Sequence, residues 1–152
     1  MAVSGKTYAN AVLGQYGGAG NGTSQAARRV DWLGDTIKVS LHTSSYTPSQ
    51  TTHCYYSDLT NEVTGTGYTA GGATLGSTTA TKSSLTVSLD AADTSWTTST
   101  ITARYAVIRK DTGSSATSPV LGYVDFGADQ SSTAGTFTIT WDSTGIFVWT
   151  VS

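Results

Sequence analysis

From Thr36 onward, apolar residues recur at every second position. Ile37, Val39 and Leu41 alternate with Lys38, Ser40 and His42, the pattern of a strand with one buried face. Further short runs of β-branched and aromatic residues follow at 73–81, 84–89 and 95–97. The run 101–109 carries Ile101, Ala103, Tyr105 and Val107 on one face, and Thr102, Arg104, Ala106 and Ile108 on the other. Neither face is cleanly polar, so this strand is expected centrally, between two packed layers. Residues 119–126 are expected to return beside it across the turn at 111–115. Residues 136–141 and 146–151 are expected to close the fold as a hairpin about Asp142-Ser143-Thr144-Gly145.

Composition supports that reading by exclusion. Only 12% of residues are charged, about half the usual 25%, and Glu62 is the single glutamate. Ser and Thr supply about a third of the chain. Helical bundles draw on Leu, Glu and Lys, which are scarce here, and a disordered chain would not carry 4 Trp and 8 Tyr. The expected class is all-β, a single β-sandwich or partly open barrel over residues 35–152, with a short N-terminal helix or arm over 1–34.

In that arm, Tyr8, Val12, Leu13 and Tyr16 share one face of a short helix by their spacing. Gly17-Gly18-Ala19-Gly20-Asn21-Gly22 then ends the helix. Such a segment is either a loose terminus or an arm that docks on a partner. Residues 44–60 read as irregular, with one helical turn expected at 55–59.

The chemistry-bearing residues do not assemble into a reaction. Net charge is −2, and the only basic pairs are Arg28-Arg29 and Arg109-Lys110, so no direct nucleic-acid role is expected. Cys54 is the only cysteine, which excludes an intrachain disulfide. His53-Cys54 resembles a base beside a nucleophile, but neighbours on an extended chain point to opposite faces. His42 approaches that pair only through the fold. Asp90 with Asp93, and Asp125 with Asp129, make oxygen-rich turns of the kind calcium favours, although aspartate forms such turns by itself. No phosphate loop, serine elbow or paired glycosidase acids occur. Trp32, Tyr46, Tyr55, Tyr56, Tyr68 and Trp96 fall in or near loops, where rings either stack on sugars or fill the core. No apolar run approaches the length of a membrane helix. The opening MAVSGKTYANAV shows no secretory pattern. Synthesis in a cytoplasm is therefore expected, with no membrane partner.

Several blocks resemble a recurring small structural protein of tailed bacteriophages and prophages. They are DTIKVSLHTSSYTP at 35–48, NEVTGTGYTAGG at 61–72, LDAAD at 89–93, TARYAV at 102–107, KDTG at 110–113 and GYVDFG at 122–127. The resemblance implies a virion component with no cofactor, no resident metal and no catalytic residues. Within that class the expected role is head decoration: a cement protein, trimeric, on the outside of the major capsid protein lattice. Tyr8, Val12, Leu13, Tyr16, Arg28 and Arg29 are the expected partner contacts. The alternative is a tail or fibre component with a host-surface or glycan-binding face.

Overall fold

The computed structural model describes residues 2–15 and 29–151. The chain runs through β1 (Ala2–Val3), β2 (Lys6–Thr7), helix α1 (Ala9–Gln15), β3 (Ile37–His42) and a 3-10 turn (Tyr56–Asp58). It continues through β4 (Ala73–Thr74), β5 (Thr79–Ser83), β6 (Thr86–Asp90), β7 (Thr94–Lys110), β8 (Val120–Trp141) and β9 (Phe147–Thr150). The fold is all-β, as its alternating sequence requires. A larger sheet has the order β1-β8-β7-β3-β4, with β2 also on β8, and a smaller sheet has the order β5-β6-β9. The two sheets make a sandwich-like body rather than a closed barrel.

The β7–β8 hairpin is the spine. It unites runs that the sequence presents as four separate strands: 95–97 with 101–109, and 119–126 with 136–141. Its ladder shifts register repeatedly. Ala103 pairs with Gln130 and Tyr105 with Asp125, so β8 spends residues 126–129 where β7 spends only Arg104. Gly127, at φ +80°, supplies the left-handed backbone of the bulge, which residues with a Cβ rarely adopt.

β7 is central, and its two faces bury different layers. Ala106 and Ile108 join the main core with Ile37, Val39, Leu41, Leu121, Trp141 and Phe147. Val107 points the other way, into a second cluster of Tyr8, Tyr46, Val120 and Tyr123. β3 departs from its expected half-buried character: Ser40 and His42 are as buried as Val39. The loop at 43–60 folds over that face, and Ser40 and His42 satisfy each other there with a 3.0 Å hydrogen bond.

The expected closing hairpin does not form. β9 pairs with β6 in the other sheet, Phe147 opposite Leu89. The place beside the end of β8 is taken by β1, which runs parallel to it with Ala2 opposite Thr140. The turn at 142–145 therefore carries the chain across. Asp142 accepts from the Thr144 amide at 2.9 Å, and the Ile146 amide donates to Leu89 at 2.8 Å. The expected single strand at 73–81 is likewise divided between the sheets, as β4 and β5. Ser77, at φ +51°, marks the break.

The N-terminal segment is not a free arm. β1 and β2 both pair with β8, and the Tyr8 amide donates to Leu121 at 2.8 Å. The expected glycine-rich stretch at 17–22 lies outside the described residues.

On the solvent side of the strands, hydroxyls pair across the ladders. Ser95 meets Thr138 at 2.8 Å, Thr102 meets Ser131 at 2.7 Å and Thr86 meets Thr150 at 3.3 Å. Threonine thus supplies β-branching and a satisfied polar face together.

Candidate contact surface and the buried polar clusters

Where α1 passes the smaller sheet it leaves an apolar groove. Ala11 and Val12 of α1 form one wall, Phe147 and Trp149 of β9 the other, and Trp32, Leu89 and Leu121 the floor. The cavity measures about 250 Å³, and among the described residues no charged side chain lines it. Trp149 stacks on Phe147, centroids 5.9 Å apart, which holds the indole at the lip. Val12 and Leu13 stay 43% and 44% exposed and Trp149 37%. Leu85 and Val151 add apolar surface at the end of the smaller sheet, brought together when the Val151 amide donates to Leu85 at 2.8 Å. Large exposed apolar groups gathered in this way mark contact sites.

The expected contact residues divide. Val12 is exposed at the groove, and Leu13 is exposed next to it on α1. Arg29 is exposed, and its carbonyl accepts from Lys110 Nζ at 3.0 Å. Tyr8 is a correction: it is fully buried in this chain's own core, where it packs on Tyr123 at 5.7 Å between centroids. Tyr16 and Arg28 lie outside the described residues.

The structure also assembles two polar clusters that spacing does not announce. In the first, Tyr46 lies between His42 and His53, with ring centroids 4.8 and 5.7 Å away. Its hydroxyl bridges Tyr8 and His53, at 2.9 Å to each. Burial pushes the Tyr46 phenol up to about 12 and the Tyr8 phenol higher still, with the Tyr46 hydrogen bond adding to it. Burial also holds both imidazoles below their ordinary 6.5. In the second cluster, Glu62 accepts from the Tyr56 hydroxyl, from the Tyr68 hydroxyl at 2.6 Å and from the Gly71 amide at 2.7 Å. Burial and the Glu62 carboxylate together raise both phenols. Arg109, only 2% exposed, donates to the Gly71 carbonyl at 2.8 Å.

No family model, curated protein or solved structure matches the chain.

The remaining candidates fall into place one by one. Cys54 is buried and its Sγ faces the Thr52 carbonyl at 3.5 Å, while His53 turns toward Tyr46. The two side chains are thus directed to different partners. Asp125 is tied to Arg104 at 2.6 Å and to the Gly127 amide, and Asp93 accepts from the Trp141 amide at 3.1 Å. Among the described residues no group of three or more metal-ligating side chains converges. Of the loop rings, Trp32, Tyr46 and Trp96 are buried. Tyr56 and Tyr68 are half-buried with their hydroxyls on Glu62, and Tyr55 is half-buried. They form no exposed stacking face. Among the described residues no helix is long and apolar enough to cross a membrane.

Spacing alone points to Val12 and Leu13. It misses Trp149, because β9 was expected beside β8 rather than across from α1. It misses the two polar clusters because their members are distant in sequence: Tyr8 joins Tyr46 and His53, and Gly71 and Arg109 join Tyr56 and Glu62.

Proposed function

We propose that this chain is a structural protein of a tailed-bacteriophage particle, and within that class a head-decoration protein. It binds the outside of the capsid lattice as a homotrimer and stabilises the assembled shell. The observation that carries the reading is the uncharged groove between α1 and β9, with Val12 and Trp149 exposed on its two lips. Decoration demands a surface matched to a partner and no bond-making chemistry. Specific interfaces bury about 1,200–2,000 Å² in total, and a fully buried aliphatic side chain contributes about 1.5–3 kcal/mol. Repetition over a lattice multiplies modest single contacts. The low charge density supports the same reading, since neutral surface is less costly to desolvate than charged surface.

The experiment is binding to separated heads and tails, read by co-sedimentation and by cryo-electron microscopy of the particles. The expected result is saturable attachment to heads, weakened at least tenfold by Val12→Asp, with the fold unchanged by circular dichroism. Attachment to tails alone supports the tail or fibre component instead, and attachment to neither overturns the virion reading. Undiminished binding of V12D removes the groove from the contact.

A further inference from the structure

Three side chains in series fasten the N-terminal segment to the body. Tyr8 Oη lies 2.9 Å from Tyr46 Oη, which lies 2.9 Å from His53 Nδ1. The backbone amide of Ser49 also points at Nδ1, at 3.4 Å. An amide N–H only donates, so Nδ1 presents its lone pair and His53 is the neutral Nε2–H tautomer. The direction of the series follows: Tyr46 donates to His53, and Tyr8 donates to Tyr46. Both phenols are buried, whereas His53 is half-buried. The one group in the series that changes charge near neutral pH is therefore the one that meets solvent.

The loop that carries His53 also holds the segment elsewhere. The Ala9 amide donates to the Gln50 carbonyl at 3.0 Å, and Gln50 Nε2 donates to Thr7 at 2.9 Å. Asn10 Nδ2 reaches the Thr51 carbonyl at 3.2 Å. Whatever displaces residues 49–53 loosens these attachments together.

We propose that His53 is an acid-sensitive catch for the N-terminal segment, and that protonating it releases residues 6–15 from the body. A proton on Nδ1 turns the acceptor into a donor. The Ser49 amide then faces an N–H, and the Tyr46 oxygen must accept from the imidazolium. Two buried hydroxyl protons remain, with a single hydroxyl oxygen between them still able to accept. One O–H is left without a partner whichever way the series reorients. The other groups facing the site do not remove this conflict. Asp58 favours the charged imidazole, but burial outweighs it. His42 lies across the Tyr46 ring, facing Glu62 and Arg109. Tyr105 and Tyr123 close the far side without charge. Release uncovers Val107, Val120 and Tyr123, which pack with Tyr8 in one cluster. The inference holds whatever surface the protein attaches to.

The test is amide hydrogen–deuterium exchange of the full chain at mildly alkaline and mildly acid pH, corrected for intrinsic exchange, in the wild type and in His53→Gln. In the wild type, amides of residues 6–15 are expected to exchange faster as pH falls through the His53 titration, by at most about tenfold per pH unit, while β3 and β7 stay protected. In H53Q this pH dependence disappears. Unchanged exchange in the wild type, equal acceleration in H53Q, or simultaneous opening of β7 overturns the proposal. If H53Q does not fold, imidazole 15N shifts of the wild type decide the matter. An Nε2–H tautomer titrating below the ordinary histidine value upholds the catch. An Nδ1–H tautomer, or a titration at or above that value, overturns it.

Discussion

The guanidinium of Arg109 lies over the ring of Tyr56, 3.8 Å from its centroid, and the Tyr56 hydroxyl donates to Glu62. The chain's only glutamate and a buried arginine are thus joined through an aromatic ring rather than by a direct ion pair. The arrangement keeps a guanidinium with two unpartnered buried nitrogens, Nε and Nη1, against a π-face and a carbonyl.

Glu62→Gln is expected to destabilise the fold by about 1.5–3 kcal/mol, the range for hydrogen bonds to charged groups. The amide that replaces one carboxylate oxygen meets donors, and the Tyr56 hydroxyl beneath Arg109 loses its anionic acceptor. Urea denaturation with an unchanged m-value measures this. A loss below about 0.5 kcal/mol, the scale of an ordinary surface substitution, contradicts the buried role assigned to Glu62.

Tyr8→Ala is expected to cost about 3–5 kcal/mol, as for other buried aromatic truncations. Deleting residues 1–15 removes β1, β2 and Tyr8 together and is expected to lower the midpoint of chemical denaturation further. A truncated chain as stable as the full one would show that the segment is an arm after all.

Stability is expected to fall on mild acidification. Both imidazoles sit below 6.5 in the folded state, so the unfolded chain binds protons first. The histidine contribution is complete above pH 6.5 and is lost as pH drops toward the folded values. For buried His42 the slope approaches about 1.4 kcal/mol per pH unit, while that of the more exposed His53 is reduced by solvent screening. The carboxylates act in a separate, more acid window. Asp111 is held below 3.8 by Lys38, and Asp125 by Arg104, so their contribution is present above 3.8 and is lost below it. Denaturation midpoints of the wild type and of His42→Gln between neutral and acid pH check the sign and the window.

Gly72→Ala is expected to break the β3–β4 pairing. Gly72 has φ +71°, and a Cβ there would strike the Val39 carbonyl oxygen. The strain alone is about 1–3 kcal/mol, with the clash in addition. Thermal denaturation and loss of protection at the Leu75 amide, which bonds to Ile37 at 2.8 Å, report it.

The alternation at 37–42 and 101–109 made the strands legible, and the doubly apolar run at 101–109 placed β7 centrally. Those signals are local, because burial of a strand face is written in every second residue. The pairing of β9 was not legible. Asp142-Ser143-Thr144-Gly145 has the chemistry of a hairpin turn, and only the occupation of the β8 edge by β1, from the far end of the chain, redirects it. The same long-range effect hid the burial of Ser40 and His42. Both read as a polar face until residues 43–60 are folded over them. At the contact surface, Val12 and Leu13 were visible from helical spacing. Tyr8 satisfied the same spacing and went inward, because β2 delivers it directly beneath Tyr46.

The cross-strand hydroxyl pairs, such as Ser95 with Thr138 and Thr102 with Ser131, give parts of the outer faces little that ionic strength can act on. Added ions screen charges over a Debye length of about 8 Å at physiological salt, but mutually bonded hydroxyls offer them nothing to screen. Any association made through these hydroxyl pairs, away from the exposed Arg104–Asp125 ion pair on the same strands, should therefore depend little on salt.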